Sequence, residues 1–421
     1  MANHNPWLVG AADGADLGDG GQLERGSGCP STQIGHRGEN GVWKSHSLNP
    51  PFERGSSLEI FSSLAKSAVM KTERAPRNRT IVLLEEDEVM LSPALCSLSS
   101  DVRPNELLNR VFNQDLFGAL RYLPSRFVDL LIVDPPYNRA KDFNGRNFQK
   151  QSFEEYTRWM KSWFVPLSRV LKPTGSIYVC GDWLTSASVF QVLQEQLIVR
   201  NRITWEREKG RGARANWKNC SEDIWFATAS DDYFFNPDAV MLKRRVLAPY
   251  RVDGQPKDWQ TESSGNYRLT HPSNFWSDIT VPFWSMPENT DHPTQKPEKL
   301  IAKPVLASSR PGDVVMDPFL GSGTTAAVCT KLARNFVGFE IDRTYCLLTL
   351  KRIAMAKVDK VIQGYSDSVF WERNTLAEQL RAAERANTQN DKAYPQSFLQ
   401  TSLNLHEAAY SKMPSPPVSQ L

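Results

Sequence analysis

The sequence predicts an α/β fold built on a mostly parallel sheet with helices on both faces. Strand and helix patterns alternate along the middle of the chain, and the strands are short and almost entirely apolar. Strands of a parallel sheet have that composition because helices cover them from above and below. A glycine-rich turn between one strand and the next helix also provides a place for a nucleotide-type ligand.

Each element of this alternation has its own signal. Short apolar runs predict strands at Asp129–Val133, Ser176–Gly181, 202–205 (RITW), 222–227 (EDIWFA), Asp313–Asp317 and Asn335–Asp342. Longer segments predict helices at Phe153–Leu171, Ser186–Leu197, 299–308 and Thr324–Ala333. In the first of these helices Trp163, Leu167 and Val170 fall near one face, and the turn signal LKPTG ends it.

Composition narrows the classes of function. The 421 residues include 50 Lys and Arg against 47 Asp and Glu, so any contact with nucleic acid has to come from a local basic patch. The six cysteines are scattered without a CxxC pair, which disfavours a zinc ribbon and indicates a reducing compartment. We therefore predict no metal site and a cytoplasmic location. No apolar run has the length of a membrane span, and the N-terminus lacks a secretory signal pattern.

Composition also divides the chain into three parts. Residues 1–105 are rich in Gly, Asn and Ser at the start and are predicted to form a largely flexible extension. The alternating pattern places the folded domain at 106–360, with an inserted region at about 206–290. Residues 361–421 are predicted to be a peripheral tail, with one helical patch (LAEQLRAAERAN) before a polar end.

The glycine-rich turn is DPFLGSGTTAA, between the strand ending at Asp317 and the helix that Thr324 opens. Gly321 and Gly323 permit a tight turn and a close approach of the backbone to a ligand at the helix N-terminus. The following strand ends at Glu340, where a carboxylate can accept hydrogen bonds from ribose hydroxyls. An adenosine-bearing cofactor is therefore expected, and both NAD and S-adenosylmethionine fit.

A second motif, IVDPPYN, places Asp134, Pro135, Pro136 and Tyr137 directly after a buried strand. The prolines make the turn rigid and leave carbonyl oxygens free to accept. The Asp134 carboxylate and the Pro135 carbonyl can hold the two hydrogens of an exocyclic amino group, and the Tyr137 ring can stack on its heterocycle. This pattern indicates a site for a planar aromatic amine at the carboxyl edge of the sheet.

Together, IVDPPYN, DPFLGSGTT and HPTQKPEKL (His292–Leu300) resemble the amino-group DNA methyltransferases of restriction–modification systems. Because DPPY precedes the glycine motif, the chain is similar to the β group, whose order is a circular permutation of the usual methyltransferase chain. The resemblance covers about Asn109 to Met355, and Gln114 stands where the family commonly has glycine. It implies a three-layer, Rossmann-like S-adenosylmethionine-dependent methyltransferase fold with a mostly parallel seven-stranded sheet.

The resemblance also implies the cofactor and its residues. The family uses S-adenosylmethionine, bound near adenine by the acid matching Asp115, at the ribose by Glu340, and at the methionine end by the HPTQKP segment. The implied cofactor-binding residues are Asp115, His292, Thr294, Lys296, Asp317, Phe319, Gly321, Gly323, Thr324 and Glu340. From the residues alone, His292 would more often be a capping or core residue than a ligand.

The implied reaction is direct methyl transfer to an amino nitrogen of a base flipped out of double-stranded DNA. Asp134, Pro135, Pro136 and Tyr137 are the implied catalytic residues. DPPY is commoner with adenine N6, and cytosine N4 is the alternative. The family also implies a cognate restriction endonuclease as functional partner, and it leaves a homodimer open.

Two basic regions are candidates for DNA contact. From Arg200 to Cys220 there are seven basic residues against two acids, with glycines that make the segment mobile. Met241–Asn289 resembles the variable target-recognition region that β enzymes place between the two motifs. The predicted DNA-binding residues are Lys209, Arg211, Arg214, Lys218, Lys243, Arg244 and Arg245.

Three other functions compete with this one. An NAD-dependent oxidoreductase could use the same glycine turn, but it leaves DPPY and HPTQKP unexplained. A methyltransferase for a protein amide or an RNA base could use the planar-amine site, but the basic insert and the permuted order count against it. A DNA-binding module with an inactive site is disfavoured by the intact motifs.

Overall fold

The structure is a computed structural model that describes residues 75–373, apart from 76, 144–145, 208–214, 216, 247–249 and 263–264. Its strands are β1 (Arg110–Asn113), β2 (Val128–Val133), β3 (Lys141–Phe143), β4 (Arg146–Phe148), β5 (Leu171–Gly181), β6 (Ile198–Glu206), β7 (Ser221–Thr228), β8 (Leu242–Arg245), β9 (Arg251–Val252), β10 (Gln255–Pro256), β11 (Gln260–Glu262), β12 (Gly265–Thr270), β13 (Phe275–Trp276), β14 (Val314–Asp317), β15 (Asn335–Glu340), β16 (Tyr365–Ser366) and β17 (Val369–Trp371).

Helices alternate with these strands. The α-helices are α1 (Glu85–Leu91), α2 (Pro104–Leu107), α3 (Leu116–Ala119), α4 (Phe153–Ser168), α5 (Ser186–Gln196), α6 (Glu298–Ser308), α7 (Thr324–Lys331) and α8 (Arg343–Val358). Short 3-10 helices span Ser92–Ala94, Leu120–Tyr122 and Pro237–Val240. Among the described helices, none has the length and apolar character needed to cross a lipid bilayer.

The central sheet confirms the predicted α/β class. Its strand order is β1-β15-β14-β2-β5-β7-β6-β13. Neighbours from β1 to β5 are parallel, whereas β7 runs antiparallel to both β5 and β6. The described sheet has eight strands rather than the expected seven, because the two-residue strand β13 of the inserted region pairs with β6.

Two apolar layers cover the sheet, as the three-layer expectation requires. Leu130 and Ile132 of β2 pack in the layer that contains residues of α6, α7 and α8. Leu131 and Val133, which point to the opposite face, pack with residues of α4 and α5. The alternation along one strand therefore separates two helical layers, and β2 lies buried between them with Asp134 at its carboxyl end.

The boundaries of helix α4 differ from the prediction only at its C-terminal end. Ser152 begins it with a reciprocal capping box: its side-chain oxygen accepts from the Glu155 N–H at 3.2 Å, and a Glu155 carboxylate oxygen accepts from the Ser152 N–H at 3.0 Å. The helix ends at Ser168, not Leu171. Leu171 already pairs with Val128, so the LKPTG segment belongs to β5 with a register shift rather than to a separate turn.

Residues 77–105 make ordered contacts with the domain, whereas a largely flexible extension is predicted for this part of 1–105. Ile81 forms a bridge with Thr290, and Cys96 forms one with Phe112 of β1. Lys351 of α8 donates to the Val82 carbonyl at 2.9 Å. We therefore propose that the domain begins near residue 77.

A second, five-stranded sheet with the order β11-β12-β8-β17-β16 unites the inserted region with the chain after residue 360. Phe370 of β17 is fully buried, and β17 runs parallel to β8. Two segments after residue 360, Tyr365–Ser366 and Val369–Trp371, are thus strands of a sheet rather than parts of a peripheral tail. The helical patch predicted at 376–387 lies outside the described residues.

Candidate active site

The carboxyl ends of three neighbouring parallel strands form one cleft of about 690 Å³. Asp134 follows β2, Asp317 ends β14 and Glu340 ends β15. All three residues line the cleft, together with Phe319 of the glycine turn. The two sequence motifs therefore meet at the edge where open α/β sheets bind ligands.

The DPPY segment is held rigidly at the cleft. Asn138 and Gln151 exchange hydrogen bonds of 3.0 and 2.8 Å, and Tyr156 donates its hydroxyl to the Pro136 carbonyl at 2.7 Å. The Tyr137 hydroxyl lies 3.0 Å from Asp134 Oδ1. Burial, followed by the charge of Asp134, raises the pKa of Tyr137 well above its ordinary value, so its hydroxyl stays neutral and remains a donor.

Two buried ionic residues complete this part of the cleft. Lys296 Nζ donates to Asp134 Oδ2 at 2.7 Å and also lies 3.4 Å from Glu222 Oε2. Glu222 forms a second ion pair with Arg207, and its Oε2 lies 3.0 Å from the Tyr137 hydroxyl. Burial alone would raise the pKa of Glu222, but Lys296 and Arg207 outweigh burial and hold that pKa below its usual range.

Burial alone would lower the pKa of Lys296, as it does for an isolated buried lysine. The pKa of Lys296 is nevertheless raised. The neighbouring carboxylates of Asp134 and Glu222 outweigh burial and raise the pKa of Lys296. Lys296 is therefore a permanent cation directly beside the DPPY carboxylate. Resemblance had placed it at the methionine end of the cofactor; the structure places its side chain on Asp134.

The glycine turn has the backbone that its composition requires. Gly321 and Gly323 have φ angles of 53° and 80°, in the left-handed region. A Cβ at Gly323 would lie 2.4 Å from Thr349 Cγ2, so a side chain there is excluded by packing as well. The Gly321 N–H donates to Glu340 Oε2 at 2.8 Å, so the turn and the acidic strand end are fastened together.

Asp317 lies at the base of the same turn. Its carboxylate accepts from the Phe319 N–H at 3.0 Å and from the Thr325 hydroxyl. Burial raises the pKa of Asp317 to about 7, although both hydrogen bonds lower it. Burial likewise raises the pKa of Glu340. A cation or a hydrogen-bond donor that enters the cleft would therefore favour the charged form of Asp317.

Asp115 and Gln114 lie at another wall of the cleft. Asp115 caps helix α3 by accepting from the Phe117 N–H at 3.1 Å. Gln114, which stands where the family commonly has glycine, exchanges hydrogen bonds of 2.7 and 3.0 Å with the backbone of Leu98. The substituted side chain thus ties the segment before β1 to the domain.

The HPTQKP segment packs against the glycine turn. The His292 ring meets the Tyr345 ring edge-on with 4.4 Å between centroids, and His292 Nδ1 accepts from the Thr294 N–H at 3.3 Å. The Thr324 hydroxyl donates to the Lys296 carbonyl at 3.0 Å. Burial and the charge of Lys296 lower the pKa of His292 to about 3, so the imidazole is neutral.

The residues expected to bind DNA lie in different settings. Lys209, Arg211 and Arg214 are outside the described residues, and Lys218 is exposed. Lys243 pairs with Glu262 at 2.5 Å and lies 4.4 Å from the centre of the Trp371 ring, inside the small sheet. Arg244 lies 3.3 Å from Glu372, and Arg245 is exposed. Lys243 thus has a clear structural role.

Sequence reasoning missed Glu222 because it assumed that residues at the carboxyl edge follow strands. Glu222 instead lies at the start of β7, which runs antiparallel to β5, and its neighbour Asp223 pairs with Gly181 at the end of β5. The beginning of an antiparallel strand lies at the same edge as the ends of its parallel neighbours. An acid opening the strand after the basic segment was the available signal.

The chain is similar to known proteins in sequence and in structure. A family model described as DNA methylase (N6_N4_Mtase) matches residues 128–351. The type II methyltransferase M.BglII of Bacillus subtilis is 33% identical over 252 residues, which are 58% of this chain and 68% of that protein. The DNA adenine methyltransferase YhdJ of Escherichia coli K12 is 32% identical over 254 residues, 58% of this chain and 83% of that protein. The crystal structure of the M1.HpyAVI–SAM complex aligns with a TM-score of 0.38 and 22% identity over 57% of this chain and 98% of that one.

Proposed function

Because the chain belongs to the DNA methylase family, we propose that it transfers a methyl group from S-adenosylmethionine to the N6 amino group of adenine in a specific sequence of double-stranded DNA. The prediction that the chain is a DNA-methylating enzyme is confirmed by the family match and by relatives named as methyltransferases. The adenine assignment follows YhdJ, which is named an adenine methyltransferase. Cytosine N4 is the alternative, since an amino group on either ring could meet Asp134.

One structural observation carries this proposal: the carboxylate of Asp134 and the glycine turn at Phe319 line a single cleft. A planar amine entering beside Asp134 and Tyr137 would face whatever the glycine turn holds. The Tyr137 ring offers a stacking surface for a flipped base, and its hydroxyl is already fixed by hydrogen bonds. The arrangement thus suits direct transfer between two ligands held side by side.

The cleft has the features that S-adenosylmethionine needs. When bound, its sulfonium supplies an electrophilic methyl group. The backbone at Gly321 and Gly323 can approach a ligand closely, and the carboxylate oxygens of Glu340 keep lone pairs for hydroxyl donors beyond the N–H groups they already accept. The proposed cofactor-binding residues are Asp115, His292, Thr294, Asp317, Phe319, Gly321, Gly323, Thr324 and Glu340, and the side chain of Lys296 is assigned to Asp134 instead.

The chain's own residues then promote transfer by alignment and electrostatics. Asp134 accepts a hydrogen bond from the target amino group, which favours a pyramidal nitrogen with an available lone pair. As the N–C bond would form and the S–C bond of the cofactor would break, the carboxylate stabilises the positive charge that develops on nitrogen, and the surplus nitrogen proton is then lost to solvent. The rigid Pro135–Pro136 segment holds Asp134 in position, so little reorganisation accompanies the reaction.

The remaining assignments follow from the chemistry of the substrate. We assign contacts with the DNA backbone to basic residues of the inserted region, namely Lys209, Arg211, Arg214, Lys218, Arg244 and Arg245. Methylation of a specific sequence would protect it from a cognate restriction endonuclease in the cytoplasm. A homodimer is compatible with these roles and is not required by them.

Expression of the chain in cells whose DNA lacks methylation tests the function directly. Sequencing with mapping of modified bases should find N6-methyladenine at one short sequence, and mass spectrometry of digested DNA should identify the base. An Asp134→Ala variant serves as the control and should leave the DNA unmodified. N4-methylcytosine in place of N6-methyladenine would establish the alternative, and unmodified DNA with the unaltered chain would refute both.

A further inference from the structure

The acceptor that the target amine needs is already occupied in the protein alone. Lys296 Nζ donates to Asp134 Oδ2 at 2.7 Å, and the Tyr137 hydroxyl lies 3.0 Å from Asp134 Oδ1. The side chain of Lys296 is 8% exposed, so water cannot readily solvate an ammonium that leaves the carboxylate. An amino group can bind Asp134 fully only if these donors have another acceptor within reach.

Glu222 is that acceptor for both donors. Its Oε2 lies 3.4 Å from Lys296 Nζ and 3.0 Å from the Tyr137 hydroxyl. Both distances are short enough that a change of side-chain torsion would exchange Asp134 for Glu222. The other oxygen of Glu222 pairs with Arg207, and the side chain is 5% exposed. Glu222 therefore remains charged and fixed in place beside the catalytic segment.

We propose that Glu222 is a positioning residue for methyl transfer, which receives the hydrogen bonds of Lys296 and Tyr137 while the target amino group takes their place on Asp134. This inference rests on the proposed function, because it presumes that an amine binds Asp134. No proton or covalent bond moves in this step. Only hydrogen-bond partners change, and the charges of Asp134, Glu222 and Lys296 stay constant.

The charges explain why removal of Glu222 would block the amine. Lys296 pairs with both Asp134 and Glu222, and Arg207 pairs with Glu222, while Lys141 adds a further positive charge to the same cleft. In a Glu222→Gln variant the buried ammonium keeps Asp134 as its one anionic neighbour among these groups. Lys296 would then hold the carboxylate and compete with the target amino group for it.

The test compares binding of two DNA duplexes that contain the mapped target sequence. One carries the natural target base, and the other carries its analogue without the exocyclic amino group: purine for adenine, or pyrimidin-2-one for cytosine. The unaltered enzyme with S-adenosylhomocysteine should prefer the natural base about 10- to 100-fold, the range for a hydrogen bond to a charged group. Glu222→Gln should bind both duplexes equally, with cofactor affinity retained.

Two further variants make the result independent of folding defects. Glu222→Asp keeps the charge and should keep part of the preference. Lys296→Met in the Glu222→Gln background removes the competing ammonium and should restore the preference above that of Glu222→Gln alone. A merely structural role for Glu222 predicts no such recovery.

The outcomes separate this inference from the proposed function. If the unaltered chain methylates DNA but Glu222→Gln keeps the full preference for the amino group, the role of Glu222 is overturned and the function stands. If Glu222→Gln does not fold, Lys296→Met alone decides, because loss of amine preference in that variant would show that Lys296 is not a competitor. An unaltered chain that methylates no DNA would overturn the function itself.

Discussion

Asp317 ends strand β14, and Asp134 follows the neighbouring strand β2. Two carboxylates far apart in the sequence therefore share one edge of the sheet. Asp134 has a permanent cation, Lys296, within 2.7 Å, whereas the pKa of Asp317 is raised to about 7 by burial. The two carboxyl groups thus have different electrostatic surroundings in one cleft. Asp134 accepts a hydrogen bond from Lys296, and Asp317 can change charge near neutral pH.

Asp134→Ala should abolish methyl transfer while leaving cofactor binding nearly unchanged. The variant removes the acceptor for the target amine, and loss of a group that stabilises developing charge typically costs about 100-fold or more in rate. Transfer of a radiolabelled methyl group to DNA measures the rate, and calorimetry with S-adenosylhomocysteine measures binding. Equal losses in both assays would contradict the assigned role.

Cofactor affinity should rise with pH through the titration of Asp317. Above a pKa of about 7 the carboxylate is charged and attracts the sulfonium of S-adenosylmethionine. Calorimetry between pH 6 and pH 8 should therefore show tighter binding of S-adenosylmethionine at the higher pH and a weaker trend for uncharged S-adenosylhomocysteine. His292, with its pKa lowered to about 3, does not titrate in this window. Asp317→Asn should remove the trend.

The same raised pKa affects folding. The folded state holds a proton on Asp317 more tightly than the unfolded chain does, so this stabilising contribution is complete below the unfolded pKa of about 3.9. It is lost as the pH rises through about 7. Urea unfolding of Asp317→Asn should accordingly show a smaller decline in stability over that range than the unaltered chain, and parallel curves would contradict the assignment.

Gly323→Ala should destabilise the fold by about 1–3 kcal/mol, the usual cost of a side chain in a disfavoured backbone region. The φ of Gly323 is 80°, and a Cβ there would meet Thr349 at 2.4 Å. Gly118→Ala is a matched control, because its nearest neighbour would be Gln114 Nε2 at 3.9 Å. Thermal unfolding of both variants gives the comparison, and similar melting temperatures would argue against strain at the glycine turn.

Asp278→Asn should cost about 3–5 kcal/mol of unfolding free energy, because it leaves two buried ammonium groups without their anion. Lys303 Nζ lies 2.8 Å from Asp278 Oδ1 and Lys299 Nζ lies 2.7 Å from Asp278 Oδ2. Lys303→Met should cost less, since Asp278 keeps Lys299. Urea denaturation measures both, and a larger loss in Lys303→Met would contradict the order. The cluster joins α6 to the inserted region, so its loss should also weaken DNA binding.

Arg245→Gln should weaken DNA binding and flatten its salt dependence by about 0.9 in the slope of log K against log salt, as expected for one lost phosphate contact. Lys243→Gln should instead lower the melting temperature, because Lys243 lies inside the small sheet. Fluorescence anisotropy at several salt concentrations measures the slope. Combined neutralisation of Lys209, Arg211 and Arg214 tests the basic segment in the same assay, where an unchanged slope would exclude it.

Prediction from sequence succeeded where the signal was local and strong. The apolar run before Asp134 and the one that ends at Asp317 are parallel neighbouring strands. The motifs that follow them therefore lie at the same edge of the sheet. Prediction failed for the strands of the small sheet, such as Leu242–Arg245 and Gly265–Thr270. They are too short and too polar for a period of two to stand out.

The roles of individual side chains were harder to predict than their positions. Lys296 was assigned by resemblance to the cofactor, but the sequence cannot tell which way a long flexible side chain points from a loop. Its partner Glu222 comes from an antiparallel strand at the same edge. Contacts between residues distant in sequence depend on the full strand order, which local patterns do not specify.

The strand order β1-β15-β14-β2 also constrains how the protein is made. Strands β1 and β2 leave the ribosome early, yet β15, which pairs with β1, and β14, which pairs with one edge of β2, are present only when residues 314–340 have been synthesised. Until then β1 lacks its partner β15 and β2 pairs with β5 along one edge, so the remaining edges of both strands invite pairing with other chains. Permutation of the motifs therefore makes this enzyme dependent on late translation, and a message truncated before residue 314 should yield aggregates rather than a half-active protein.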